Sequence, residues 1–260
     1  MKPLYDKIGG TYDTTRKADP EITRRLREHL QLADKSKVLD VACGTGNYTI
    51  AMEKTGLSMS ASDLSQEMIN KAELKTSNVE WKVADVSNLP YPSGVFDGVT
   101  CTLSIHHFEN LLTPFKEVYR VLSKGRFVIF TSTPEQMNNY WLNEYFPIAL
   151  KESAEQMPAL SVVNDQLKEA GFDIVGAETF IIQPNLQDFF LYSGKYDPRM
   201  YLDEHVRAGI STFANLASEK EISQGCEKLK QDIESGHIEN VMRNYSSHLG
   251  DYAYVVAEKK

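Results

Sequence analysis

The chain is poor in the features that would mark several large classes of protein. It has only three cysteines in 260 residues, Cys43, Cys101 and Cys226, far apart and without a CxxC pair. That spacing excludes a disulfide framework, and no histidine lies at zinc-finger distance from them, so they read as reduced thiols. No apolar run approaches the roughly 18 residues of a membrane span, and Met1 to Lys7 contains no apolar core of a secretory leader. A cytoplasmic location is therefore expected. No basic cluster interrupts a formal charge of -8, with a pI near 5.3, so a long polyanion would be repelled. Nucleic acid is not an expected partner. No His-x-x-x-His or paired Asp-Asn spacing offers a metal site, and none is expected. No internal repeat or low-complexity tract appears, while 42% hydrophobic and 25% charged residues are ordinary for a globular chain.

What is present is an alternation of short apolar runs, turns and helical patterns, the signature of a parallel α/β sheet. Asp19-Pro20 opens a helix with an Ile22, Leu26, Leu30 stripe. Strands are expected at Val38–Ala42, Leu57–Ser62, Val79–Ala84, Phe96–Thr102, Phe127–Phe130, Ile174–Ile182 and Tyr252–Val256. Helices are expected at about Tyr48–Thr55, Ser65–Leu74, from Thr113-Pro114 with Gly125 ending that unit, and at about Asp165–Ala170. The roughly 65 residues before the last strand are too many for a simple connection. They should hold helices of their own. Asp197-Pro198 starts one, and Ser218 to Glu221 reads as a capping box ahead of the Ile222, Cys226, Leu229, Ile233 stripe and the closing Gly236.

Everything chemically suggestive falls at the carboxyl ends of the strands, where open α/β sheets bind ligands. Gly44 and Gly46 follow the first strand, where a missing Cβ lets the backbone turn and meet a ligand. Asp63, 23 residues beyond Asp40, can accept from two ribose hydroxyls, and Asp85 from an exocyclic amine. Leu64 and Met68 supply apolar surface for an adenine face. Each feature alone is an ordinary turn, cap or core residue; the ordered set at successive strand ends points to one adenosine. A dinucleotide needs a small third residue, where this chain has Thr49, and positive charge near the loop, which Asp40 to Thr49 lacks. An NAD-dependent oxidoreductase is the weaker alternative.

Val38-Leu39-Asp40-Val41-Ala42-Cys43-Gly44-Thr45-Gly46 resembles motif I of class I S-adenosylmethionine-dependent methyltransferases, and Asp63-Leu64-Ser65 with Met68 resembles the acidic loop that follows it. Ala84-Asp85, Leu89-Pro90, Phe96-Asp97-Gly98-Val99 and Leu122-Ser123-Lys124-Gly125 resemble later motifs of the ubiquinone and menaquinone biosynthesis branch. The likeness runs from about Tyr5 to Phe130. It implies a doubly wound, mostly parallel seven-stranded Rossmann-like sheet with an antiparallel last strand. It also implies S-adenosylmethionine as cofactor, with Gly44 and Gly46 at its methionine end, Asp63 at the ribose, Asp85 and the Val86 amide at the adenine, and Asp40, Ala42 and Thr102 also among the cofactor-binding residues. Tyr5, Tyr12 and Arg16 resemble a segment that folds over the donor. Ala42 replaces the usual first glycine, which is tolerable if its φ stays negative.

The expected organisation is a single domain over 1–260, with 134–164 and 184–250 as helical insertions over an acceptor site. The expected activity is methyl transfer to a small molecule through an O, N or C nucleophile, mainly by positioning, in a monomer or homodimer; a non-catalytic S-adenosylmethionine-binding protein is the alternative. His106 and His107 lie just past the fourth strand and are the candidate bases, of which adjacency should let at most one face the acceptor. Otherwise one of them shapes the loop. Tyr140 to Phe146 and Phe189 to Tyr192 either line a pocket for an apolar or aromatic acceptor or fasten the insertion to the sheet, and both readings stay open.

Overall fold

The computed structural model describes residues 12–245 and 247–260. Tyr5 lies outside them, and the side chain of Tyr12 is not described. Seven strands, β1 (Lys37–Val41), β2 (Ser58–Asp63), β3 (Glu80–Val83), β4 (Phe96–Thr102), β5 (Leu122–Thr131), β6 (Asp173–Phe180) and β7 (Tyr252–Lys259), form one sheet in the order β3-β2-β1-β4-β5-β7-β6. The first five are parallel, and β7 lies antiparallel between β5 and β6. Strand order reverses at β1 and β4, so their carboxyl ends open a crevice.

Period-two alternation divides the sheet between two cores. Leu39 and Val41 of β1, Phe127 and Ile129 of β5, and Val255 and Ala257 of β7 face one; Val38, Val128, Phe130, Tyr254 and Val256 face the other. Against the second core packs α2 (Pro20–Leu30), after the short α1 (Tyr12–Thr15). Asp19 caps α2 by accepting from the amides of Glu21 and Ile22, and Ile22, Leu26 and Leu30 are all but fully buried, each contributing about 1.5–3 kcal/mol of burial. Further along come α3 (Asn47–Glu53), α4 (Gln66–Glu73) and α5 (Leu112–Val121).

Two local expectations fail for tertiary reasons. Gly125 does not end a helical unit; β5 starts at Leu122 and runs through it. A Cβ at Gly125 would lie 2.2 Å from the Asp97 carbonyl oxygen, so this glycine allows two strands to approach. The capping box at Ser218 is half formed. Ser218 accepts from the Glu221 amide, but the Glu221 carboxylate instead accepts from the amides of Ile148 and Ala149 at the start of another helix.

That helix is α7 (Pro147–Gln156), which follows α6 (Pro134–Asn138) and precedes α8 (Leu160–Glu169), a longer helix than the stretch near Asp165 predicts. After β6 the chain forms 3-10 turns at Ser193–Lys195 and Pro198–Leu202, α9 (Glu204–Ala208), a π-helical turn at Thr212–Leu216, α10 (Glu219–Ser235) and α11 (Ile238–Asn244). Gly236 closes α10 in a left-handed conformation, as expected. Among the described residues no helix is long and apolar enough to cross a membrane.

Candidate donor and acceptor site

A cavity of about 480 Å³ opens at the carboxyl ends of β1, β2 and β4 and is lined on its other side by residues between 137 and 157 and between 188 and 212. This is within the ~300–1,000 Å³ range of small-molecule sites. Its floor is the turn from β1 into α3. Gly44 has φ +56 and Gly46 φ +74, both left-handed, and they serve different ends. A Cβ on Gly44 would meet nothing, whereas one on Gly46 would collide with the Trp81 ring at 2.2 Å. Gly44, which lines the cavity, keeps the space beside the loop clear; Gly46 lets the loop pack on β3. Ala42 does not keep a negative φ: it is left-handed at +52, as is Leu103 after β4 at +54. Such strain costs a β-carbon residue about 1–2 kcal/mol. The Ser104 hydroxyl lies between the two strand ends, 2.8 Å from the Thr102 carbonyl and 3.0 Å from the Ala42 carbonyl, and its one hydrogen is shared between these acceptors.

The acids divide by role. Asp40 is buried, and its two oxygens accept from Thr49 of α3 at 2.6 Å and Thr100 of β4 at 2.9 Å. Expected among the donor contacts, it is committed to holding β1, α3 and β4 together beneath the loop, although it does line the cavity. Burial outweighs those two hydrogen bonds and raises its carboxyl to about 6. Asp63 accepts from the Gly44 amide and the Ser65 amide, each at 2.8 Å, so the same carboxylate braces the glycine loop and the start of α4. Its pKa is raised, burial outweighing the amides. A carboxylate has about four lone-pair sites, and those two bonds leave acceptor capacity.

Asp85 lies in the turn two residues beyond β3 rather than at its tip, exposed, accepting from the Ser87 amide at 2.8 Å. Leu64, Met68 and Val86 line the same end of the cavity, Leu64 with 58% of its surface exposed. Thr102 lines it too, and its Oγ1 is buried without a hydrogen-bond partner among the described residues. Arg16 reaches the rim from the N-terminal side. Its Nε donates to Asp188 of the insertion at 2.6 Å, and Tyr48 of α3 donates to the other Asp188 oxygen at 3.0 Å.

The comparisons with known proteins agree with this architecture. A methyltransferase domain family model matches residues 39–130. A structure described as that of a methyltransferase assigned to an antibiotic biosynthesis pathway of Anabaena variabilis superposes with a TM-score of 0.85 at 30% identity, covering 93% of this chain and 98% of that one. The ubiquinone/menaquinone biosynthesis C-methyltransferase UbiE of Rickettsia akari is 30% identical over 173 residues, 54% of this chain and 70% of that protein. The chain belongs to the class I S-adenosylmethionine-dependent methyltransferases. The demethylmenaquinone methyltransferase of Corynebacterium efficiens is 34% identical over 127 residues, so the chain spans only about half, 54%, of that relative.

The family's donor fits what this methyltransferase offers. Asp63 has lone pairs to spare for ribose hydroxyls, Thr102 has an unsatisfied hydroxyl, and the apolar Met68 and Val86 flank Asp85 as an adenine face needs. Lys75 is engaged by the glycine loop itself, donating to the Thr45 carbonyl and the Asn47 side chain and pairing with Asp13.

His106 and His107 form a 3-10 turn with Ile105 directly after β4, and both line the cavity, their ring centroids 4.0 Å apart. Both therefore border the same cavity, and which of them faces an acceptor is a matter for the proposal below. Burial drives the His106 pKa well below its ordinary value, and its Nδ1 is buried without a partner. Burial also lowers His107, to about 4, although its side chain keeps appreciable exposure, which moderates the effect. Both rings are neutral at pH 7.

The aromatic segments separate. Tyr140, Trp141, Tyr145 and Phe146 are at most 3% exposed and pack against Tyr192, Tyr201 and Phe213, with Tyr140 stacked on Tyr192 at 3.8 Å. They fasten the insertion, and only Phe190 and Leu191 of the two segments line the cavity. Sequence reasoning missed Asp188, Ser153, Thr212 and Tyr252, which also line it. Asp188 meets its partner across 172 residues, and no local pattern could have disclosed it.

Proposed function

We propose that this chain transfers a methyl group from S-adenosylmethionine to an uncharged small molecule, chiefly by holding the two in line. The observation that carries the reading is the convergence of the Gly44 loop, Asp63, Asp85 and both imidazoles on one cavity whose remaining wall comes from the insertions. When bound, the donor supplies a methyl group already activated on a positively charged sulfur. Asp63 holds the ribose, the Asp85 turn the adenine, and the Gly44 loop the methionine end. Segments 134–164 and 184–250 exclude water and select the acceptor. Orientation of this kind contributes several kcal/mol to lowering a barrier, about 7–11 in favourable models.

Where the acceptor is a hydroxyl or an acidic carbon, a neutral His106 or His107 takes its proton. Replacing both by Gln then lowers turnover more than tenfold; unchanged turnover leaves positioning alone. Names of the relatives specify demethylmenaquinone as an acceptor, which accords with an uncharged, apolar molecule here. Isothermal titration with S-adenosylmethionine, its demethylated product and NAD, followed by transfer of labelled methyl to an acceptor panel, tests the reading. Binding of NAD alone overturns it, and donor binding with no turnover over a broad panel would mark a sensor instead.

A further inference from the structure

The cavity wall formed by residues 137–157 and 188–212 contains a hydrogen-bonded pair of hydroxyls among mostly apolar side chains. Ser153 of α7 and Thr212, the first residue of the π-helical turn, both face the cavity and lie 2.9 Å apart, hydroxyl to hydroxyl. They are 6% and 2% exposed. The same segments line the cavity with Met137, Met157, Phe190, Leu191 and Ile210, and with the half-buried Ser211 beside Thr212.

Two hydroxyls carry two hydrogens, and their mutual bond uses one. No other protein acceptor reaches either oxygen among the described residues, so one O–H of the pair is left to donate into the cavity. A buried donor without an acceptor is costly, and an occupant carrying an acceptor relieves it. The positions are also held firmly. Glu221 of α10 ties down the start of α7 through the Ile148 and Ala149 amides, while the Ala217 amide donating to the Thr212 carbonyl at 3.1 Å closes the π turn. Turns of this kind are rare and concentrate at functional sites. Among the described insertion residues lining the cavity, Asp188 is the one charged side chain, and Arg16 neutralises it.

We propose that Ser153 and Thr212 recognise a carbonyl oxygen on an otherwise apolar, uncharged methyl acceptor, a proposal that rests on the methyl-transfer reading above. The free O–H donates to that oxygen, fixing the orientation of the molecule, while the thioether and aromatic surroundings take its hydrocarbon frame. A charged acceptor finds no partner on this wall and loses its hydration there.

Matched probes test this. The protein, saturated with S-adenosylhomocysteine, is titrated calorimetrically with 6-acetyl-2-naphthol against 6-ethyl-2-naphthol, and with 4-hydroxybenzophenone against 4-benzylphenol. The ketone of at least one pair should bind at least about fivefold more tightly, the scale of one neutral hydrogen bond. The Ser153→Ala/Thr212→Val double variant should erase that preference with little change for the hydrocarbon member, and Thr212→Ser should keep it. Equal affinity within both pairs, no binding by any probe, or a preference that survives the double variant overturns the proposal. Where the double variant does not fold, the wild-type comparison decides. A first titration with S-adenosylhomocysteine alone separates the levels: its failure to bind strikes the methyl-transfer reading, whereas its binding without ketone preference strikes only this one.

Discussion

Replacing Asp63 probes both functions that its carboxylate serves. In the free protein one oxygen accepts from the Gly44 amide and the other from the Ser65 amide, both at 2.8 Å. In the complex the remaining lone pairs would accept from the ribose. Asp63→Ala removes charged-acceptor hydrogen bonds of about 1.5–3 kcal/mol each. Loss of the ribose contact, taken as a net change of one such bond once water replaces the other, should weaken binding of S-adenosylhomocysteine roughly 10- to 150-fold. Water can reach the freed amides through the open cavity, so the loop softens rather than collapses. Asp63→Asn keeps one acceptor oxygen but must turn its NH2 towards one of the two amides or the ligand, and should fall between alanine and wild type. Isothermal titration measures the affinities, with circular dichroism confirming the fold. An affinity in Asp63→Ala within twofold of wild type refutes the placement of the ribose at Asp63.

Other perturbations test the supports of the site. Gly46→Ala puts a β-carbon into Trp81 at a left-handed φ and should lose about 2–5 kcal/mol in urea unfolding, whereas Ala42→Gly exchanges strain of about 1–2 kcal/mol for about 0.4–1 kcal/mol of unfolded-state entropy and should be neutral or stabilising. Equal losses for the two would contradict the division of roles in the loop. Asp188→Ala leaves the Arg16 guanidinium, 14% exposed, without its carboxylate, and should destabilise by about 3–5 kcal/mol, more than Asp188→Asn; a loss below ~1 kcal/mol would show the clasp to be incidental. For Asp40 the folded pKa of about 6 lies above the ordinary 3.8, so the folded state binds the proton more tightly. The contribution of Asp40 to stability is therefore fully present below pH 4 and is lost, by up to about 3 kcal/mol, as pH rises through 6. Asp40→Asn should lack this component, and parallel pH profiles of variant and wild type would refute it.

Much of the donor end was legible in the chain because its determinants are local. Val38 to Gly46 is a strand, a turn and a helix start within nine residues, and the alternation of apolar residues sets which faces of β1 and β5 are buried. Asp63 and Asp85 announced themselves by following apolar runs. Even there, the left-handed φ of Ala42 and the commitment of Asp40 to Thr49 and Thr100 needed neighbouring strands in place.

By itself the sequence determined the order of strands and helices, the position of the glycine turn and the strand ends that carry the acids, since each depends on side chains within a few residues of one another. Only the tertiary structure decided what those positions do. Trp81 explains Gly46, Asp188 meets Arg16 and Tyr48, Glu221 caps α7 instead of its own helix, and the aromatics of 140–146 turn inward while Ser153 and Thr212 turn to the cavity. Those pairings join residues far apart in the chain. Periodicity records which face of an element is apolar, not which distant partner covers it, and the acceptor wall is made almost wholly of such partners.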